Sequence, residues 1–245
     1  YFVSKLEKEF AKKYKSKFAI SFCNGTATMH AALYAAGIKK GDEVIVTPLT
    51  MSSTTFAIKY LDAIPIYADV DLDTFQILPN EIEKKITKKT KAIVPVHFTG
   101  YMTNMIGLNK IAKKYKIPVI EDACQSILAS INNKNSGTWS DFGAFSLHPL
   151  KNINVWSDGG IIVTSNRKYY EHLKLLRNHG LSDRDNVKIT GYNSRLDTLQ
   201  AVVGNWLIPS ARKIANQRIK NASYLDKNLK NVKGISIPPR LKNYK

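Results

Sequence analysis

The chain has 245 residues, 44% of them hydrophobic, and a formal net charge of +18. That length holds one large α/β domain with part of another, and no apolar run approaches the ~20 residues that span a bilayer. Two cysteines, Cys23 and Cys124, give neither a disulfide framework nor a metal-ligand spacing, so a reducing, cytoplasmic setting without a metal is expected. The positive charge raises the question of a nucleic-acid or anionic-membrane partner. Its lysines, however, pepper the polar faces of residues 7–17, 81–91 and 213–233 and are not interleaved with aromatics. They read as solvated surface, part of which helps attract a phosphorylated substrate.

Phe2, Val3, Leu6, Phe10 and Tyr14 recur at helical spacing, so the chain opens on a helix already under way. The start lacks a signal-peptide pattern, and residues 240–245 stop without a closing element. The chain is expected to be an internal piece of a longer protein. Strand-like and helix-like segments then alternate. Residues 18–22 form a short apolar run, 26–36 a small-residue helix, 43–47 a β-branched strand and 52–61 a helix. Strand 64–70 precedes a helix over 80–87 with a cap signal at Asn80, and strand 91–98 precedes helix 104–115. Strands follow at 117–120, 142–147 and 160–164. Helix 168–178, a polar loop over 179–190 and one long helix from about Ser194 to Leu229 complete the pattern. The rhythm predicts an α/β fold: a mainly parallel, mixed sheet covered by helices on both faces. Residues 1–205 are expected to be the large domain, and 206–245 a long helix and the start of a smaller one. Ligands of such sheets bind at the carboxyl ends of the strands, and the candidate residues fall there.

The most informative stretch is Phe145-Ser146-Leu147-His148-Pro149-Leu150-Lys151-Asn152, followed by Ser157-Asp158-Gly159-Gly160. It places a lysine just past a strand, with a hydroxyl five residues earlier. Such a lysine can form a Schiff base with pyridoxal phosphate while the serine helps hold the phosphate. Asn24-Gly25-Thr26-Ala27-Thr28 opens a helix after a strand, where free N–H groups and the positive dipole end suit a phosphate; an ordinary helix cap would look the same. Glu121-Asp122-Ala123-Cys124-Gln125 ends a buried strand with two acids. Alternation sends neighbours to opposite faces, and Asp122 is read as the one facing the site, where it could keep a pyridine nitrogen protonated. A strand-end salt bridge is the plainer alternative. Gln125 lies just beyond, within reach of a cofactor oxygen or ring. In Gly191-Tyr192-Asn193-Ser194-Arg195-Leu196-Asp197, Asn and Arg together could hold a phosphate or carboxylate.

In order and spacing, Asn-Gly-Thr-Ala, Gly-Asp-Glu-Val-Ile, Glu-Asp-Ala-x-Gln, Phe-Ser-x-His-Pro-x-Lys, Gly-Gly and Gly-Tyr-Asn-x-Arg-Leu-Asp-x-Leu-Gln-Ala resemble the DegT-type (DegT/DnrJ/StrS) sugar aminotransferases. These are fold-type I, pyridoxal-phosphate-dependent enzymes of the aspartate aminotransferase superfamily. The resemblance runs from about residue 6 to 205. It implies that Lys151 carries the cofactor and then moves the proton, that Asp122 pairs with the pyridinium nitrogen, and that Gln125 meets the ring or its oxygen. It also implies that Gly25, Thr26, Ala27 and Ser146 hold the phosphate, and that Asn193 reaches the phosphate of the other subunit in a homodimer with shared sites.

Three departures stand out. Leu49-Thr50-Met51-Ser52 lies where relatives carry an aromatic that stacks on the ring, a place a thioether such as Met51 can fill. Leu147 and Leu150 replace Phe and Thr, and Ser157-Asp158 replaces a small-Glu pair. These bear on substrate choice and remove no reacting group.

The expected activity is transfer of an amino group from L-glutamate to a nucleotide-linked keto-sugar. A sugar dehydratase of the same fold would carry histidine in place of Lys151. A cyclic-ketone aminotransferase, or a non-catalytic regulator or nucleic-acid binder that keeps the fold, are the other readings.

Overall fold

A computed structural model describes residues 1–245. Helix α1 (Phe2–Tyr14) leads into β1 (Phe18–Phe22) and α2 (Gly25–Ala35). Next come β2 (Glu43–Val46), α3 (Ser52–Lys59), β3 (Ile64–Tyr67), α4 (Pro79–Lys85), β4 (Thr90–Val94) and α5 (Met105–Tyr115). β5 (Ile120–Asp122) follows, then a small hairpin of β6 (Ser130–Ile131) and β7 (Lys134–Asn135). The chain continues through β8 (Phe142–Ser146), β9 (Gly160–Thr164), α6 (Arg167–Arg177), α7 (Thr198–Leu207) and α8 (Ala211–Leu229).

Seven strands form one twisted layer in the order β3-β2-β4-β5-β8-β9-β1. β4 and β5 join through parallel bridges Ile93–Val119 and Val96–Asp122 and the hydrogen bonds His97 N–H to Asp122 O and Asp122 N–H to Pro95 O. Every neighbouring pair is parallel except the two made by β9, which runs against β8 and β1. The carboxyl ends of β1, β5 and β8 and the amino end of β9 therefore share one edge.

Strand alternation sorts the core into two faces. Ile20, Phe22, Val44, Val46, Ala92, Val94, Ile120, Ala144 and Ile162 pack with α2, α3 and α6. Ala19, Phe145, Ile161 and Val163 turn the other way toward α1 and α7, and Ile45, Ile93 and Val119 toward α4 and α5. Such two-sided burial requires the near-continuous apolar strands read from the sequence.

Three local readings change. The long helix expected from Ser194 breaks at Ile208–Ser210, because Pro209 has no N–H to bond the preceding turn. It also starts later, at Thr198. Ser194 instead accepts from the Cys23 N–H and donates its own N–H to Arg177 O, which holds the segment extended beside β1. Asn80 does not cap α4. Leu78 holds the cap position and Pro79 the first helical position, where a missing N–H costs nothing. The β6–β7 hairpin was not expected. Asn132 and Asn133 both take positive φ, 50° and 62°, as its two-residue turn requires. Residues 243–245 add to this hairpin, with Ser130 N–H bonded to Lys245 O and Tyr244 bridged to Ile131.

One buried carboxylate ties several loops to the sheet. Glu121, wholly buried, accepts from the N–H of Gly137 (2.7 Å) and Trp139 (2.8 Å), from Ser140 Oγ (2.7 Å) and from His97 Nε2 (3.0 Å). His97 Nδ1 accepts the Thr103 N–H at 3.2 Å, which assigns the ring proton to Nε2. Glu121→Ala leaves these donors without an acceptor, and a loss of about 3 kcal/mol or more is expected. Urea unfolding of the variant, compared with Glu121→Gln, measures it; the glutamine should recover part of the loss.

Candidate active site

The site is built where β1, β5, β8 and β9 meet the start of α2. Asn24 caps α2, its Oδ1 accepting the Ala27 N–H at 2.8 Å. That bond occupies the Ala27 donor, whereas the Gly25 and Thr26 N–H groups and the Thr26 hydroxyl make no hydrogen bond within the protein. The expected phosphate turn thus offers two backbone donors and a hydroxyl, with the positive end of a helix behind them. Close packing sets its place. A Cβ on Gly25 would lie 2.8 Å from Ser146 Cβ and 3.1 Å from Ser146 Oγ, and one on Gly160 would lie 2.5 Å from Asn24 O. Only glycine lets the helix start sit this tightly on β8 and β9.

At the end of β5 the two acids part as alternation demands. Glu121 faces the α4–α5 side and is consumed by the scaffold. Asp122, also buried, faces the α2–α3 side. Its Oδ2 accepts from Thr54 Oγ1 at 2.7 Å and its Oδ1 from the Cys124 N–H at 3.1 Å. Ser146, on the same face of the neighbouring strand, accepts the His148 N–H at 3.3 Å.

Lys151 follows β8 in a loop closed at its neck by Leu147 N–H to Gly159 O (2.7 Å) and Val155 N–H to Leu147 O (3.1 Å). Ile153 and Val155 anchor that loop in the core. The Lys151 N–H bonds His148 O at 2.8 Å, closing a turn within the loop. Lys151 lines a cavity of about 410 Å³ with Thr99, Cys124, Gln125, Arg212 and Arg218. Gln125 lies in a turn, not a helix, and its Oε1 accepts the Thr99 N–H at 2.8 Å, so its amide N–H₂ is left to point elsewhere.

Cys124 is the common neighbour. Its Sγ lies 3.4 Å from where a Gly25 Cβ would be. Burial raises its thiol pKa most, the Asp122 carboxylate raises it further, and the Lys151 ammonium opposes both. Gly25 and Ser146 thus pack beside Cys124, Asp122 binds its backbone N–H and Lys151 lines a cavity with it, although the sequence spreads these residues over 127 positions.

Asn193 lies outside the Lys151 cavity and borders the phosphate turn from another side. It is exposed and lines a second cavity with Asn24, Thr26, Ala27, His30 and Tyr192. Met51, just before α3, is 66% exposed and sits one helical turn before Thr54. Sequence reasoning missed Thr54, because no local pattern connects a threonine to a carboxylate 68 residues away. It also missed Arg212 and Arg218, two unpaired cations that α8 brings to the Lys151 cavity. A +18 chain hides any particular arginine.

The DegT/DnrJ/EryC1/StrS aminotransferase family matches residues 1–245. The chain belongs to this family. It is 39% identical to a pleiotropic regulatory protein of Geobacillus stearothermophilus, over 91% of this chain and 60% of that one. It is 37% identical to the UDP-2-acetamido-2-deoxy-3-oxo-D-glucuronate aminotransferase of Pseudomonas aeruginosa, over 96% of this chain and 66% of that one. Among solved structures, NtdA of Bacillus subtilis with bound cofactor PMP superposes with a TM-score of 0.92 at 30% identity, covering 100% of this chain and 57% of its own. The chain thus spans between 57% and 66% of the length of these family members. No helix is long and apolar enough to cross a membrane.

The shared sulfur gives a check on the geometry that needs no activity. In a Cys23→Ser background, Asp122→Asn should speed alkylation of Cys124 by iodoacetamide at mildly alkaline pH, because a charge that disfavours the thiolate is gone. Lys151→Ala should slow it. Equal rates in all three proteins would mean that these groups do not share a site.

Proposed function

We propose that the protein is a pyridoxal-phosphate-dependent aminotransferase that moves the amino group of L-glutamate to a nucleotide-linked keto-sugar, in the making of amino sugars. The observation that carries this reading is that a helix-start anion cradle packs against Cys124, a buried carboxylate binds the Cys124 N–H, and a lysine lines a cavity with Cys124 and Gln125. The residues fit the cofactor. Gly25 and Thr26 N–H groups with the Thr26 and Ser146 hydroxyls would hold its phosphate. Asp122 would accept the pyridine N–H, Gln125 would meet the ring oxygen, and Met51 would cover a ring face. When bound, pyridoxal phosphate supplies an electron sink for the bond broken at the donor's Cα.

Lys151 would bind the cofactor covalently and, once displaced by the amino donor, take the proton from the donor's Cα. Glutamate leaves as 2-oxoglutarate, and the keto-sugar leaves aminated. The names of the uridine-diphosphate-sugar relatives support the substrate class, and the two unpaired arginines of the Lys151 cavity suit a diphosphate.

The same reading includes a cytoplasmic homodimer with shared sites. Asn193, exposed and outside the Lys151 cavity, would serve the partner's phosphate. Residues 1–205 would form the cofactor-binding domain. Residues 206–245, of which only Ile208 and Ala211 are buried, would begin a smaller one. A non-catalytic regulator is the second reading, favoured by the name of the Geobacillus relative. Retention of both Lys151 and Asp122 weighs against it.

The test is the absorbance spectrum of the complete gene product with pyridoxal phosphate, before and after L-glutamate. A band near the visible edge should form and be converted by glutamate, and Lys151→Ala should abolish both. Asp122→Asn should slow the conversion by about 100-fold, the scale on which preorganised charge stabilisation acts. A protein in which no Lys151-dependent band forms is the regulator.

A further inference from the structure

The buried contacts of Asp122 single out a residue that no sequence motif announces. Thr54 lies in the first turn of α3, is 1% exposed, and donates its hydroxyl to Asp122 Oδ2 at 2.7 Å. A helical threonine ordinarily returns its hydroxyl to the carbonyl three or four residues back. Here it leaves its own helix and crosses to the strand. Behind it, Thr50 Oγ1 lies 2.8 Å from Thr54 Oγ1. The Thr54 hydroxyl has one proton and gives it to Asp122, so Thr54 can only accept from Thr50, whose O–H donates.

The other oxygen, Oδ1, takes the Cys124 N–H. One bond comes from the turn after β5 and the other from α3, and between them they hold the carboxylate plane against rotation about its last torsion, which is otherwise soft. The helix does not need this hydroxyl to stay in place, since Ala57 and Ile58 already bury α3 against the sheet.

We propose that Thr54 is a positioning residue, which with Thr50 behind it orients the Asp122 carboxylate for the cofactor's pyridine N–H. This rests on the assignment of Asp122 made above, and the experiment separates the two.

The complete gene product would be loaded with pyridoxal phosphate labelled with ¹⁵N in the ring, and the ring-nitrogen chemical shift recorded at neutral pH. Steady-state rates with L-glutamate and thermal unfolding of the cofactor-free proteins would accompany it. Thr54→Val should move the ring nitrogen toward its unprotonated shift and lower kcat by about 10-fold or more, the worth of a hydrogen bond to a charged group, with KM for glutamate little changed. Thr54→Ser, which keeps the donor, should restore both, and Thr50→Val should fall between. The cofactor-free forms should unfold at similar temperatures.

A wild-type shift and kcat in Thr54→Val overturns the proposal. So does an equal loss in Thr54→Ser accompanied by a lowered unfolding temperature, which would make the role structural. If Thr54→Val does not fold, Thr54→Ala is judged by the same criteria. Asp122→Asn is the control: if it leaves the ring nitrogen unmoved, the reading of Asp122 itself fails, whatever Thr54 does.

Discussion

At the end of β5 two adjacent carboxylates face opposite sides of a sheet covered on both, and the rest of the site depends on that division. Neither side chain can reach water easily, so each must be met by donors from another part of the chain. Glu121 meets four, from His97 and the segment 137–140, and becomes the post around which those loops are set. Asp122 meets two, from Thr54 and Cys124, and keeps acceptor capacity on the face where α2 begins. The same alternation that sorts Ile120 and Val119 into different core clusters sends the two carboxylates to opposite faces.

A second constraint is the closeness of the α2 start to the strand ends. Helix dipoles and free N–H groups recruit an anion only where it can approach them. Gly25 lets Ser146 of β8, and Gly160 lets β9, come within contact of the helix start, and the loop after β8 brings Lys151 to a cavity shared with Cys124. The lysine loop, the cap and the acid belong to three separate βα or β-loop connections. What unites them is the strand order, in which β5, β8, β9 and β1 are neighbours although β8 and β9 come well over a hundred residues after β1.

The layered α/β class, the two-sided cover and nearly every strand were legible in sequence, because buried parallel strands leave short apolar runs between turn residues. Alternation also told that Glu121 and Asp122 face opposite sides of the sheet, but the choice of Asp122 for the site came from the family resemblance. Less was legible where the backbone obeys distant partners. Residues 194–197 carry a helix-like sequence yet stay extended, since Cys23 and Arg177 supply hydrogen bonds that a helix would forfeit. Pro209 was visible, but the amphipathic pattern on both sides of it masked the break. The Asn132-Asn133 turn was equally visible, but strands of two residues give no periodicity to read.

The sequence by itself determined the chemistry on offer: a lysine after a strand, an acid at a strand end, a glycine-opened helix, and the family those motifs mark. Only the tertiary structure decided which groups touch. Hydrogen bonds such as Thr54 to Asp122 and His97 to Glu121 join residues whose separation along the chain carries no signal, and their energy depends on ångström distances that strand order and close packing alone establish.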